Sequence, residues 1–347
     1  MVVRLMRISV IIPLLNAERT IAACIEGFLQ QKVPPHEVIL VDNNSCDRSP
    51  TIIQRYVERS QGNFIYVVEP KKGPSFARNC GAKLAEGDIL AFIDADCIPH
   101  PDWIDNISNA FDRSQVGAVA GRIIPASLES SLEKFHALFT MKGLPEDQIF
   151  REFTLVEGGF PTANLAVRKT LFEKIAGFDE NLEIYSEDYD LCARIYNAGF
   201  RIKYSNEICV YHKHRNSLTG TLRQSFGFGT GHACNLKKHF EKMVIIEVPG
   251  RRILTRHWKA RLWLNFSSAD KKMIALAVLF FFWSPAAMLI ALYIGYMLRQ
   301  IGKKQVQRGF GSALPEKFVL LVLLFAKSFA LSCGRIYGSL KYSVFCF

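Results

Sequence analysis

Residues 89–96 read Ile89-Leu90-Ala91-Phe92-Ile93-Asp94-Ala95-Asp96, an apolar run that ends in two carboxylates one residue apart. Bounded by Gly87-Asp88 before and by Pro99 and Pro101 after, the run reads as a buried strand of a parallel sheet. Side chains alternate along a strand, so Asp94 and Asp96 leave the same face at the sheet's carboxyl edge. Open α/β sheets bind their ligands at that edge. Two carboxylates there are hard oxygen donors of the kind Mg²⁺ or Mn²⁺ takes while it also holds phosphate oxygens. Taken alone, the pair would equally be a helix cap beside a solvated acid; its surroundings decide.

Working outward, short apolar runs at Ile8–Pro13, Glu37–Asp42 and Phe64–Val68 alternate with amphipathic helices near 19–31, 47–60 and 75–85. Gly87 reads as a left-handed stop for the third helix. This order predicts an α/β fold, a doubly wound, mainly parallel sheet with helices on both faces. A further helix is expected over Asp102–Arg113, a strand over Val116–Ile124 and a helix over Leu128–Phe139. Helices at Phe172–Ile175 and Tyr189–Asn197 each close on a glycine, Gly177 and Gly199, and Arg201–Tyr204 and Ile208–Tyr211 read as short strands. Leu222–His239 reads as helical, with Gly227, Gly229 and Gly231 making part of it a candidate mobile loop.

The 347 residues carry a net charge of +11 and nine cysteines without C-x-x-C pairs, which points to reduced thiols rather than a disulfide framework or zinc site. Positive charge concentrates between Asn235 and Lys272, where ten Lys/Arg face three acids. A basic segment just before an apolar one fits an anionic membrane surface better than nucleic acid; no recognised nucleic-acid motif accompanies it, so no nucleic-acid partner is expected. Met273–Leu298 holds no charged side chain, and Phe318–Gly334 is interrupted only by Lys327. The expected organisation is a catalytic domain over 1–235, a basic amphipathic linker over 236–272, and two transmembrane helices, 273–298 and about 318–340, within 273–347. The loop Arg299–Lys317 carries five Lys/Arg against Glu316. Full crossing by both helices would place this charge outside, against the positive-inside tendency, whereas re-entry of the first would keep it inside. No signal peptide is read before Pro13, which leaves the catalytic part on the cytosolic face of the cell membrane.

Several segments occur in a recognisable order. They are Ser9–Pro13 with Asn16, Val41-Asp42-Asn43-Asn44-Ser45 with Asp47, Gly73, Ala77-Arg78-Asn79-x-Gly81, and Phe92–Asp96. Ala163-Asn164 with Arg168, Gly177-Phe178-Asp179, and Ser186-Glu187-Asp188-x-Asp190-Leu191 with Arg194 follow. Across residues 8–235 this set resembles the family 2 glycosyltransferases, which have the GT-A fold and invert configuration at the transferred sugar. The resemblance implies a nucleotide-sugar donor, a divalent metal (Mg²⁺ or Mn²⁺), Asp42 on the nucleobase, Asp94 near ribose and metal, and Asp96 as metal ligand. Pro13 and Asn16 border the base and ribose pocket, and Lys72 and Arg78 are cations suited to the diphosphate. Asp42 serves equally well in a turn, and Lys72 as a solvated charge. By position Asp188 matches the family's catalytic base, with Glu187 beside it orienting the acceptor; a capped helix end is the alternative use of both. His212 is a candidate further metal ligand, with His214 competing, and Asn164 matches the acceptor-side motif. The family's processive members carry a Gln-x-x-Arg-Trp motif after the base. Leu222–Gly231 contains no Trp, which argues for single-sugar transfer over polymer extrusion, and the Arg223-Gln224 pair with its glycines suggests a lid.

The expected function is metal-dependent, inverting transfer of one sugar to a membrane-associated acceptor: a lipid-linked saccharide, glycolipid or cell-envelope glycan precursor. Two competitors remain at this level: a nucleotidyltransferase that makes the sugar nucleotide, and a non-catalytic membrane scaffold on a transferase-like domain.

Overall fold

The computed structural model describes residues 6–60, 62–111, 114–140, 143–154, 157–182, 185–214, 217–248, 251–255, 259–266, 269–311 and 313–347. The chain divides into two compact units, Met1–Ala126 with Gly143–His214, and Ser127–Lys142 with Arg215–Phe347. The boundary expected at residue 235 therefore falls at 214, and the helix preceding 235 belongs to the second unit.

In the first unit the elements are β1 (Ile8–Leu14), α1 (Ile21–Leu29), β2 (Glu37–Asp42), α2 (Ser49–Arg59), β3 (Phe64–Val68), α3 (Pro74–Leu84), β4 (Ile89–Phe92), β5 (Cys97–Pro99), α4 (Trp103–Ala110) and β6 (Val116–Pro125). After α5 (Ser131–Phe139), which belongs to the second unit, come β7 (Gln148–Phe150), β8 (Leu165–Arg168), α6 (Lys169–Lys174), α7 (Glu187–Asn197) and β9 (Arg201–His212). The sheet runs β3-β2-β1-β4-β8-β6-β9-β5, with β7 also on β9. β1 to β4 pair in parallel as their sequence predicts, but β8 is antiparallel to both β4 and β6.

Register explains why the functional ends coincide. Leu14 lies opposite Asp42 and Ile11 opposite Phe92, so β1, β2 and β4 reach the same carboxyl edge together. β9 runs parallel to β6, and its last residue, His212, pairs with Cys97, immediately after Asp96. The two short strands expected at 201–204 and 208–211 are one strand with a bulge, where the register against β6 jumps between Gly121 and Arg122. Buried Ile11, Ile39, Val41, Leu90 and Phe92 fill one face of the sheet, each worth about 1.5–3 kcal/mol of transfer free energy. Phe178 packs edge-on against Phe92 at 5.2 Å between ring centroids. Gly177 precedes it at φ +65, a left-handed conformation glycine adopts without strain. Gly87 does not have the left-handed backbone expected of it; a Cβ there would meet Arg7 O and Ser9 N at 2.7 Å, so its role is close approach of two backbones.

The second unit holds α5, α8 (Leu218–His239), β10 (Val244–Val248), β11 (Arg251–Thr255), β12 (Leu262–Asn265), α9 (Ala269–Phe282), α10 (Ala286–Gln307), α11 (Leu314–Tyr342) and β13 (Phe345–Cys346). The stretch 236–272, expected to be a basic amphipathic linker, contributes three strands to a small sheet ordered β11-β10-β12-β13. Its inward residues alternate, Ile245 and Glu247 on β10, Trp263 and Asn265 on β12. That is the period of a half-buried strand, which the density of charge obscures. The stretch 273–298 is not one helix: it breaks at Trp283-Ser284-Pro285 into α9 and α10, because proline cannot donate to the preceding turn. Among the described residues one helix, α11, is long and apolar enough to cross a membrane.

The glycines of α8 do not loosen it. A Cβ on Gly229 would collide with Leu331 O, and one on Gly334 with Phe226 O; α8 and α11 touch backbone to backbone. No lid forms from Leu222–Gly231, which is continuous helix. Gly334→Ala is expected to lower stability by about 1–3 kcal/mol, read as a lower melting temperature; an unchanged melting temperature would show that the contact carries no load.

Candidate active site

Each carboxylate of the site is positioned by backbone and by its neighbours. Asp42 ends β2 buried, accepting from Ser45 N at 2.9 Å and from the Tyr66 hydroxyl at 2.9 Å. Burial, with Asp42 beside it, pushes the Tyr66 hydroxyl up to about 12, so it remains a donor. Pro13 is half-buried on β1 at the same edge. Asn16, at φ +52, donates its N–H to Ser45 Oγ and accepts from Cys46 N, both at 2.8 Å, stitching the loops after β1 and β2 together. Asn43, which sequence reasoning passed over, donates to Glu69 O and Lys71 O and accepts from Gly73 N at 2.7 Å. It fixes the turn that carries Lys72, whose side chain is exposed.

Arg78 differs most from its expected role on the diphosphate. It is buried on α3, and its two terminal nitrogens donate to Asp94 Oδ1 and Glu187 Oε1, each at 3.1 Å, over the face of Phe178. The guanidinium is held above its ordinary value by Asp94, Glu187 and Asp188 against the opposing effect of burial. Asn79, its neighbour, brackets Phe178 by accepting from its N–H and donating to its carbonyl, both at 2.9 Å. One turn of α3 thus ties the end of β4 to the segment that carries Glu187 and Asp188.

Glu187 is buried and fully engaged: beyond Arg78, its second oxygen accepts from Tyr185 N at 2.9 Å and Ser186 N at 3.1 Å. These bonds tie it to the backbone just before α7 and to Arg78; the sequence suggested that it orients the acceptor. Asp188 stands free of that pairing at the N-terminus of α7, accepting only from Tyr189 N among the bonds described, at 2.9 Å. Its carboxyl is pushed up to about 7, first by burial and then by the charge of Glu187, with Arg78 pulling the other way. A carboxyl poised near neutrality is suited to taking a proton.

Asp96 and His212 meet across the β5–β9 pairing, His212 Nε2 lying 3.3 Å from Asp96 Oδ1. His214 sits behind, its Nδ1 3.0 Å from His212 Nδ1, so His212 is the histidine that faces the acid. Asp96, Cys97 and His212 are close enough to share one ion. Cys97 is buried, and its soft sulfur suits Mg²⁺ or Mn²⁺ poorly beside a carboxylate oxygen. The pair that fits a divalent cation is therefore Asp96 with His212, one oxygen and one imidazole nitrogen, with Asp94 bordering it. Imidazole suits Mn²⁺ better than Mg²⁺, which prefers oxygen.

Asn164, expected on the acceptor side, is committed to the scaffold. Its carbonyl accepts from Trp103 Nε1, and its amide donates to Arg122 O and Ile208 O, all at 2.9 Å. Those two carbonyls flank the register jump between β6 and β9, so Asn164 satisfies groups the bulge takes out of the ladder.

Removing Arg78 leaves Glu187 buried against Asp94 with no counter-charge. Arg78→Leu is expected to cost about 3–5 kcal/mol in chemical denaturation; a loss below about 1 kcal/mol would mean the two ion pairs are worth no more than surface ones.

The Glycosyl transferase family 2 model matches residues 9–176. The glycosyltransferase AglE of Haloferax volcanii is 26% identical over 228 residues, 65% of this chain and 72% of that protein. The glucosyl-dolichyl phosphate glucuronosyltransferase of the same organism is 26% identical over 227 residues, 60% of this chain and 69% of the other. Against longer curated relatives the chain spans as little as 39% of their length. Among solved structures, the mannosyltransferase PcManGT from Pyrobaculum calidifontis, in complex with GDP-Man and Mn²⁺, superposes with a TM-score of 0.57 at 16% identity, covering 96% of this chain and 87% of that one. These matches favour glycosyl transfer over the competing nucleotidyltransferase and scaffold readings: residues 9–176 carry a Glycosyl transferase family 2 domain, and the fold is of the GT-A kind.

Proposed function

We propose that this glycosyltransferase transfers a single sugar by inversion, in a metal-dependent reaction, from a nucleotide-sugar to an acceptor held at a membrane. The observation that carries the reading is Arg78, which joins Asp94 and Glu187 through two 3.1 Å ion pairs and so sets the Asp188 loop against the Asp94–Asp96 edge. Asp96 and His212 would hold the cation, which when bound neutralises charge developing on the departing nucleoside diphosphate. Pro13, Asn16 and Asp42 line the edge where the nucleoside would lie, and Lys72 is a mobile cation beside it.

Asp188 is the base. Its carboxylate removes the proton from the acceptor hydroxyl; that oxygen bonds to the anomeric carbon as the bond to the diphosphate oxygen breaks on the opposite face. Arg78 and Glu187 are positioning residues for it. The acceptor reading rests on the named dolichyl-phosphate relative and on apolar helices of the second unit that present large side chains to solvent. It locates the enzyme at the cell membrane, on the side that holds the nucleotide-sugar, with a lipid-linked saccharide or envelope-glycan precursor as the acceptor. Incubating membranes with a panel of labelled sugar nucleotides and extracting lipid tests it: label confined to water-soluble product would reject a lipid acceptor.

Asp188→Asn is expected to keep donor affinity and lower transfer by about 10²–10⁴-fold; near-normal transfer would remove the base assignment. Asp188 raised to about 7 is protonated, and idle, below that pH. The wild-type rate should therefore climb about tenfold per pH unit up to neutrality and level off above it. Asp96→Ala should abolish the gain in donor binding that Mn²⁺ produces; donor binding unaffected by Mn²⁺ or chelator in the wild type would refute metal dependence.

A further inference from the structure

Three helices of the second unit carry exposed apolar stripes. On α9 and the turn after it these are Ile274, Val278, Phe281, Phe282 and Trp283, with Phe281 84% and Phe282 80% exposed. Met288, Leu292 and Tyr296 recur at every fourth residue of α10, and Phe318, Val322, Phe329, Ile336 and Leu340 at steps of four and seven along α11. Such spacing keeps the α10 and α11 sets each on one face of its helix, while α9 exposes large apolar side chains, Leu279 and Phe280 included, all around its second half. Water is an unfavourable neighbour for a surface of this extent.

Neither α9 nor α10 is built to cross. α9 has 14 residues, about 21 Å at 1.5 Å per residue, against a hydrocarbon core of about 30 Å. α10 meets Arg299 after about 13 residues, or ~20 Å, and continues through exposed Lys303 and Lys304 to Gln307. α11 is long enough at 29 residues, but its other face is held by polar partners along its length. Glu316 pairs with Lys134 of α5 at 2.6 Å. Lys327 donates to Phe139 O at 2.7 Å and Thr140 Oγ1 at 3.1 Å. Thr230 of α8 donates to Gly334 O at 3.3 Å, and Arg335 Nε lies 3.3 Å from His232 Nδ1. To cross, α11 would have to draw α8, with exposed Arg223, Lys237 and Lys238, into hydrocarbon, at a cost of about 2.5–3.5 kcal/mol per charge.

We propose that α9, α10 and α11 form a monotopic anchor, whose apolar stripes enter one leaflet and whose chain never crosses. This rests on the membrane reading above and adds the mode of attachment. Exposed Lys303, Lys304 and Arg308 with Lys317 at the α10–α11 connection match an anionic headgroup layer, so the occupant is a leaflet rich in anionic lipid. Single-sided insertion also keeps that basic connection on the donor's side, where two crossings would export it.

The test uses the full chain, with exposed Cys46 of the catalytic domain as an internal marker. Gly311→Cys and Lys341→Cys, both at exposed positions before and after the main length of α11, are labelled with an impermeant maleimide in sealed membrane vesicles of the two orientations. The modified peptides are identified by mass spectrometry. Both new thiols are expected to react from the same side as Cys46. Reaction of either from the opposite side would overturn the single-leaflet anchor while leaving membrane attachment intact. With purified protein, phosphatidylcholine vesicles containing phosphatidylglycerol should bind at least about tenfold more tightly than phosphatidylcholine alone at low salt. Phe281→Asp with Phe282→Asp should weaken that binding about tenfold or more. Protein that ignores both kinds of vesicle, as a monomer or as a dimer through its stripes, would overturn the anchor and the membrane reading together.

Discussion

A guanidinium with one carboxylate on each arm organises this molecule. Arg78 lies in the low-dielectric interior, where a lone charge would be driven out or neutralised, and it persists because Asp94 and Glu187 both reach it at 3.1 Å. Those acids sit 93 residues apart in the chain (positions 94 and 187) and belong to different halves of the fold. Burial makes Arg78 the indispensable member: with it withdrawn, Glu187 is left inside without its counter-charge. Phe178 on Phe92 and Asn79 on the Phe178 backbone add a second fixed point, on the C-terminal side of α6. Precision of placement at Asp188 follows from this, because its own side chain makes few bonds.

The opposite wall is built by strand pairing. The bulge in β9 shifts register against β6, and the shifted strand delivers His212 opposite Cys97, beside Asp96. Asn164 holds that bulge by taking up two carbonyls the ladder abandons. A residue in a conserved-looking motif thus acts on the site at one remove, through a strand, with its hydrogen-bonding groups turned into the core.

Legibility in the sequence tracked how local each cause is. β2 and β3 have the bounds that their apolar runs suggest, Glu37–Asp42 and Phe64–Val68, since a buried parallel strand declares itself in five or six residues. The places of Asp42 at the end of β2 and of Asp188 in the first turn of α7 are legible because strand ends and helix starts are local features. The pairing of Arg78 is not, since no spacing rule links residue 78 to 187. β8 is four residues long and antiparallel, too short to show a period. Charge misled at 236–272, where a dense run of Lys and Arg hid the alternation in Val244–Val248. Glycine misled in α8, since the sequence cannot distinguish glycine that loosens a helix from glycine that lets a second backbone in, and Gly229 under Leu331 is the latter.

The balance of charge at the edge bears on the chemistry. Asp94, Asp96, Glu187 and Asp188 bring four carboxyls to one crevice, and Arg78 offsets two of them directly. Asp188 answers by holding its proton up to about neutral pH, and Asp96 leans on His212. A nucleoside diphosphate entering here adds further negative charge to a site already short of positive charge. Coulomb repulsion between groups a few ångströms apart is severe where water is excluded. A divalent cation, which Asp96 and His212 would hold, would supply the positive charge this edge lacks.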